Sequence, residues 1–519
     1  MYRARRLVAF AFFVALTLPV AAADHTKQLA RKVDAILAQP DVARGFWGVE
    51  VVSLDTGKTL YSQNAEKLFT PASNTKLFTT AATLALIGPD FRFHTTMEST
   101  GSVDKYGRLN GDLVLIGRGD PNLSGRSIPY NLRTERKLDP VHVLQELADQ
   151  VAAKGVKMIS GDVVADDSWY PFERYGEGWS QDDLMWEWGA PATALTINDN
   201  VVFLTIQPAD RPGEKAYLNI NPFPDYYHVD NRVMTTPAGT GPRKVYTLRE
   251  PGSNQLLAWG NIPVDDPGHT ESLAIDDPAD FAARLMRRLL EERGISIYGH
   301  ARTHHTDLAS LSTFSVTTFA SAGGGDTPPA QVPPPMVLAN YESAPLAQDL
   351  KVINKVSQNL HAELMLRLLG REKGTSGTID AGLEVLRGFL TQVDIRPEEY
   401  VFYDGSGLSR ENLVSPHAIV KLLTYTSKQP WAAQFEDTLP VGGVDGTLSD
   451  RFKTPGLVGK VHGKTGSLGH VNSLSGYATT ARGEHVVFSI LANNHMLNNR
   501  RALETIDQIV QAFINDKNK

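Results

Sequence analysis

The sequence predicts an α/β protein built from one split domain with a β-rich region inserted into it. Three observations lead there. Helical and strand patterns occur together at both ends of the 519-residue chain, over about 24–93 and 345–519. Between them, 94–344 is dominated by short β-type runs broken by Gly, Pro, Asp and Asn. The first stretch is too small to bury a core of its own, so it must share one with the last. The insertion is expected to form two units, about 94–168 together with 290–344, and 169–289.

Composition narrows the possibilities. With 42% hydrophobic and 21% charged residues the chain is globular, and a net charge of −7 offers no basic footprint for nucleic acid. Residues 1–23 read as a secretory leader. Arg3, Arg5 and Arg6 supply the positive region, Leu7 to Val20 a short apolar run, and Ala21-Ala22-Ala23 the small residues for cleavage before Asp24. No later stretch is apolar for long enough to span a bilayer, so the mature chain is expected to have no transmembrane span. There is no cysteine, which excludes thiol chemistry, cysteine metal sites and disulfide staples. An exported protein of a bacterial cell envelope, the periplasm, fits.

The elements follow in order. Residues 25–38 carry Leu29, Val33, Ile36 and Leu37 on one helical side. Gly45 to Ser53 and Lys58 to Ser62 flank the turn Asp55-Thr56-Gly57 as a hairpin. A helix then runs to about Ile87, where Gly88-Pro89 stops it. In the middle, Leu113–Ile116, Val163–Ala165, Val201–Ile206, Tyr217–Ile220 and Lys244–Arg249 read as strands. Pro278 to Arg293 reads as an amphipathic helix, with Asp277 as N-cap and Gly294 as stop. The Gly- and Pro-rich stretch 321–335 reads as a surface loop or linker. Helical texture returns over Leu346 to Leu369 and again over Pro416 to Thr426. The strand pair Ser473–Thr479 and His485–Leu491 and a helix from Arg500 to Ile514 close the chain.

The chemistry starts at Pro71-Ala72-Ser73-Asn74-Thr75-Lys76. Side chains three apart on a helix share a face, so Ser73 and Lys76 stand together. A helix N-terminus carries unpaired N–H groups and partial positive charge, which lowers a lysine pKa and favours an oxyanion. A neutral lysine beside a serine is one way to activate a weak nucleophile. Alone, this four-residue pattern is short enough to arise by chance.

Two further motifs change its weight. Ser357-Gln358-Asn359 falls within the second helical stretch, and Lys464-Thr465-Gly466-Ser467 falls just before the strand Ser473–Thr479. An acyl transfer needs a nucleophile, a base, a proton route to the leaving amine, an oxyanion hole and a grip on the substrate. Ser73 supplies the nucleophile and Lys76 the base. Ser357 shuttles the proton and Asn359 bonds a substrate amide. Lys464 offers charge to a terminal carboxylate, with Thr465 beside it. Gly466 lets a substrate backbone lie along the strand edge, and the N–H groups of Ser73 and Ser467 form the oxyanion hole. No cofactor or metal is called for.

Taken together and in this order, the three motifs are the signature of penicillin-binding proteins and class A β-lactamases. The middle motif has Gln358 where that signature has Asp, a change expected to matter little. The chain resembles the low-molecular-mass class C penicillin-binding proteins, the D-alanyl-D-alanine carboxypeptidases/endopeptidases. The likeness spans nearly the whole mature chain, including the long gap between Ser73 and Ser357. It extends to Gly161–Asp167, Tyr403–Arg410 and Leu439–Gly443 leading to Gly446-Thr447-Leu448. The resemblance implies a penicillin-recognising domain with a five-stranded antiparallel sheet between helices. It also implies peptidoglycan stem peptides as substrate and β-lactams as covalent inhibitors. By the same resemblance, Asp166 and Arg410 are expected to meet the free charged end of a diaminopimelyl side chain.

Other patterns carry less. Arg118-Gly119-Asp120 reads as a turn, His300, His304 and His305 lack carboxylates at metal-ligand spacing, and Gly239-Thr240-Gly241 is not followed by a nucleotide-binding helix. Two alternatives stay open: a β-lactamase, which needs a deacylating base, and a catalytically idle envelope-binding protein.

Overall fold

The computed structural model describes residues 20–130, 136–222, 226–311 and 334–515. Most of the expected leader, and the 321–333 part of the Gly- and Pro-rich stretch, lie outside these residues. The first helix, Val20–Leu37, begins within the expected leader.

The two ends of the chain build one five-stranded antiparallel sheet. Its order is Thr59–Gln63, Phe46–Ser53, His485–Asn493, Val471–Thr479, Val461–Leu468. The central strands are buried on both faces, which is why they read as nearly unbroken runs of apolar and small residues. Alternation along His485–Asn493 sends its side chains to two separate cores. Phe488 and Ile490 pack with Leu29 and Val33 of the first helix and Ile506, Ile509 and Phe513 of the last, Asn499–Ile514. Val487 and Leu491 face the opposite core, with Leu77, Phe78, Leu364 and Leu422. Truncating Phe488 to Ala would cost about 3–5 kcal/mol, the usual range for an aromatic ring removed from a closed core.

That second core is made by Thr75–Leu86, Asn359–Lys373, Ile379–Gln392 and Pro416–Thr426. The last of these starts where its sequence signals lie. Ser415 accepts a hydrogen bond from Ala418 N at 3.1 Å, and Pro416 occupies the first turn.

Among its described residues, the region between holds four sheets in two groups. One group is the mixed five-stranded sheet of His94–Ser99, Leu113–Ile116, Val163–Pro171, Ala301–Thr306 and Met336–Glu342, with a small four-stranded sheet beside it. Helix Pro278–Glu292 packs on Val163–Pro171 and Ala301–Thr306. Asp277 caps it by accepting from Asp280 N at 3.0 Å, and Gly294 follows it with φ +78°. The other group is two three-stranded sheets drawn from residues 201–274.

Two expectations about the motif-bearing segments change. The stretch 346–369 is not one helix. Leu346–Lys351 passes into a π-helical turn, Val352–Val356; Ser357 takes a left-handed conformation (φ +69°, ψ +35°), and a new helix starts at Asn359. Apolar periodicity continues through this break because both pieces bury the same side. Lys464-Thr465-Gly466-Ser467 precedes the strand Val471–Thr479 as expected, and itself lies within a further strand, Val461–Leu468, at the edge of the five-stranded sheet.

Candidate active site

The three motifs converge where the turn and helix carrying Ser73 and Lys76 meet this edge strand. Ala72 holds φ +50°, unusual for a residue with a Cβ, and turns the chain into the short 3₁₀ turn Ala72–Asn74. The turn is bolted to the sheet. Asn74 Nδ2 donates to Lys464 O at 3.0 Å and Ser473 Oγ at 2.8 Å, and Ser473 Oγ donates to Pro71 O at 2.8 Å. Gly466 permits this closeness: a Cβ there would collide with Ser473 Oγ and lie 2.8 Å from Pro71 O and 3.0 Å from Ser73 N. Glycine is thus needed for the approach of the strand to the N–H of Ser73.

Ser73 is half-buried and Lys76 wholly buried. Lys76 Nζ lies 2.9 Å from Ser73 Oγ, 2.6 Å from Asn359 Oδ1 and 2.7 Å from Ser406 O. Burial pushes the Lys76 ammonium down to about 7, against the opposing pull of the Asp404 and Glu363 carboxylates. A neutral amine keeps two N–H donors for Asn359 and Ser406 and turns its lone pair to the serine hydroxyl. That is the arrangement a general base requires.

Ser357 and Lys464 form the second pair. Lys464 Nζ donates to Ser357 Oγ at 2.8 Å and to Thr465 O at 2.9 Å. Burial, reinforced by the Lys76 ammonium nearby, holds the Lys464 pKa well below that of a free lysine. An incoming carboxylate would relieve that penalty by pairing with the ammonium. Thr465 Oγ1 and Thr447 Oγ1 are 2.7 Å apart on the exposed side of the strand, and Ser467 Oγ accepts from Asn472 Nδ2 at 2.9 Å.

Sequence reasoning missed the supports beneath these groups. Asp404 gathers the loop that presents Ser406 O: it accepts from Gly407 N (2.8 Å), Ser409 N (2.7 Å), Asn412 Nδ2 (2.6 Å) and Trp179 Nε1 (3.0 Å). Glu363 Oε1 accepts from Gly405 N (3.0 Å) and Ser406 N (2.8 Å), and burial and the Asp404 charge push this carboxyl up to about 7. Gly407, at φ +82°, is required because a Cβ would run into Ala72 O. The Asp-Gly-Ser-Gly spelling of 404–407 was visible, but not its contact with Lys76.

The inserted region reaches the site as well. Trp188 O accepts from Asn359 Nδ2 at 2.7 Å, and Trp188 Nε1 donates to Asp183 Oδ1 at 2.9 Å. A cleft of about 480 Å³ is lined by Ser357 and Asn359 on one side and Trp188, Phe203 and Arg136 on the other. Arg410 is not among the lining residues and connects to the cleft only through Asp183, whose Oδ2 it bonds at 3.0 Å while Asp183 Oδ1 holds Trp188. Asp166 and Arg410, expected to act together, have other partners. Asp166 sits within the sheet of the insertion, bonded to Ser168 N (2.9 Å) and His304 Nδ1 (3.0 Å). The carboxylate that faces Arg410 is Asp183, which nothing in its local sequence singles out.

Ser73, the buried Lys76, the Ser357 and Asn359 pair and the edge-strand Lys464 sit on the fold of a low-molecular-mass class C penicillin-binding protein, a serine-type hydrolase. The chain belongs to the D-Ala-D-Ala carboxypeptidase 3 (S13) family, whose profile matches residues 29–318 and 324–515. It is 34% identical over 479 residues to a D-alanyl-D-alanine carboxypeptidase of Actinomadura sp. (strain R39), covering 90% of this chain and 81% of the relative. It is 27% identical to the D-alanyl-D-alanine carboxypeptidase DacB of Haemophilus influenzae, covering 94% and 92%. The crystal structure of penicillin binding protein 4 (dacB) from Haemophilus influenzae superimposes with a TM-score of 0.74 at 26% identity, covering 94% of this chain and 97% of that one. A second structure of that protein, in complex with a β-lactam, superimposes with a TM-score of 0.69 at 24% identity over 95% and 98%.

Proposed function

We propose that this protein is an exported, periplasmic D-alanyl-D-alanine carboxypeptidase/endopeptidase that hydrolyses peptidoglycan stem peptides through an acyl-enzyme at Ser73, and that β-lactams acylate the same serine. The observation that carries this reading is the 2.9 Å approach of a fully buried Lys76 to Ser73, with Ser357 and Lys464 paired beside it.

Ser73 Oγ attacks the carbonyl carbon of the scissile amide while its proton passes to Lys76 Nζ. The N–H groups of Ser73 and Ser467 hold the oxyanion. Collapse breaks the C–N bond, and Ser357, backed by Lys464, relays a proton to the leaving amine. Water then attacks the ester, regenerating Ser73 and releasing the peptide acid. Asn359 bonds the acyl-side amide, and Lys464 with Thr465 receives the terminal carboxylate. Arg410 reads the carboxylate of a free diaminopimelyl end, and Asp183 is placed to take its ammonium; Asp166 is the second candidate for the ammonium. Export rests on the leader pattern of residues 1–23, and no described helix is long and apolar enough to cross a membrane.

The test is release of D-alanine from a peptide ending in D-alanyl-D-alanine. Wild type should release it and Ser73→Ala should not. A wild type that leaves the peptide intact while folded would overturn the reading.

A further inference from the structure

Gln358, in place of the signature's Asp, is a change expected to matter little, yet its side chain is clamped from both ends. Gln358 Oε1 accepts from Leu360 N at 3.1 Å, capping the helix that begins at Asn359. Gln358 Nε2 donates to Asp199 Oδ2 at 2.9 Å. Asp199 belongs to the inserted region and is completely buried. Its carboxylate also accepts from Arg126 and from Arg136 NH2 (2.5 Å), while its Oδ1 lies 3.2 Å from His361 Nε2, one turn into the same helix.

The turn that presents Asp199 is built at a conformational cost. Asn198, Asp199 and Asn200 have φ of +51°, +56° and +53°, three successive left-handed residues without a glycine. Such backbone persists only where the surroundings over-determine it. Here Asn200 Oδ1 accepts from Ile197 N (3.0 Å), Asn200 Nδ2 donates to Pro191 O (2.8 Å), and Asn198 Nδ2 donates to Val201 O (2.9 Å). Burial opposes the Asp199 charge, but the two guanidinium groups and His361 outweigh it and hold this carboxyl well below the usual range.

We propose that Asp199 is a positioning residue for the acyl-transfer reaction: through Gln358 it fixes the left-handed Ser357 against Lys464 and Asn359 against Lys76. Ser357 and Asn359 flank Gln358 directly, so a rotation at 358 moves both catalytic side chains. The pairing also explains the residue type. An aspartate or glutamate at 358 would set a second carboxylate against Asp199, whereas an amide donates to it. The insertion therefore completes the active site as well as lining it.

The proposal rests on acylation at Ser73, which a labelled penicillin on wild type establishes independently. The variants then read the acylation rate constant and the pre-covalent binding constant separately. Gln358→Glu should lower the rate constant at least tenfold with binding changed less than threefold. Adding Asp199→Asn, which returns one carboxylate and one amide to the pair, should recover most of that loss. Gln358→Met, uncharged and of similar size, should lose a similar factor and decides the matter if Gln358→Glu does not fold. Wild-type acylation by Gln358→Met, or a double variant no faster than Gln358→Glu alone, would overturn the assignment.

Discussion

Lys76 Nζ lies 2.9 Å from Ser73 Oγ, and no part of the lysine side chain reaches solvent. Burial rather than a charged neighbour brings its pKa to about 7. The acylation rate should therefore rise with pH as Lys76 loses its proton near 7 and level off above it, since only the neutral amine accepts the serine proton. A stopped-flow profile from pH 5 to 9 checks this. Lys76→Arg cannot deprotonate in this range and should acylate slower by on the order of 10²-fold or more. A flat profile, or near-normal acylation by the arginine variant, would contradict the role.

Gly466→Ala should fail for a steric reason. Its Cβ would press on Ser473 Oγ, Pro71 O and Ser73 N, forcing the edge strand away from the nucleophile turn. Overpacking of this kind costs about 1–3 kcal/mol of stability. Acylation should fall at least tenfold, because oxyanion-hole geometry tolerates little displacement. Thermal melting and acylation kinetics measure the two effects separately.

Lys464 is paired with Ser357 and held in a site that disfavours its charge until an anion arrives. Peptides with an amidated C-terminus should accordingly show a lower kcat/KM than the free acids, by about tenfold or more for a lost buried charge pair. Equal turnover of acid and amide would remove Lys464 from carboxylate recognition.

Half-exposed Arg410 pairs with the more buried Asp183, which in turn bonds Trp188 of the cleft wall. Arg410→Ala and Asp183→Ala should narrow the preference for a free diaminopimelyl end over its acetylated form, read as the ratio of kcat/KM values. Asp166→Ala, run beside them, decides between the two carboxylates. A variant that loses activity equally on both peptides has a structural or general catalytic role.

Much of this was legible in the sequence because it is local. Pro416–Thr426 has its cap and its proline in order, and Leu113–Ile116 and Lys244–Arg249 are short runs between turn residues. The contact of Ser73 with Lys76 spans three residues and needed only helical geometry. What escaped depends on distant contacts. The break at Ser357 is invisible because the apolar face runs on across it, and no residue there announces a left-handed φ. Lys464 does precede the strand at 473–479, but the strand Val461–Leu468 that carries it was not drawn from the sequence, because its residues are polar and small and only pairing at the sheet edge makes them a strand. Asp183, Asp404 and Glu363 acquire their roles from partners far along the chain, as does Gln358, whose partner Asp199 is 159 residues away.

Every role assigned to Lys76, Ser357 and Lys464 depends on Ser73 Oγ being the acylated atom. Incubation with a labelled penicillin, proteolysis and mass mapping should place the adduct on the peptide containing Ser73, and Ser73→Ala should take no label while melting like wild type. A label on any other residue, or one retained by Ser73→Ala, would contradict it.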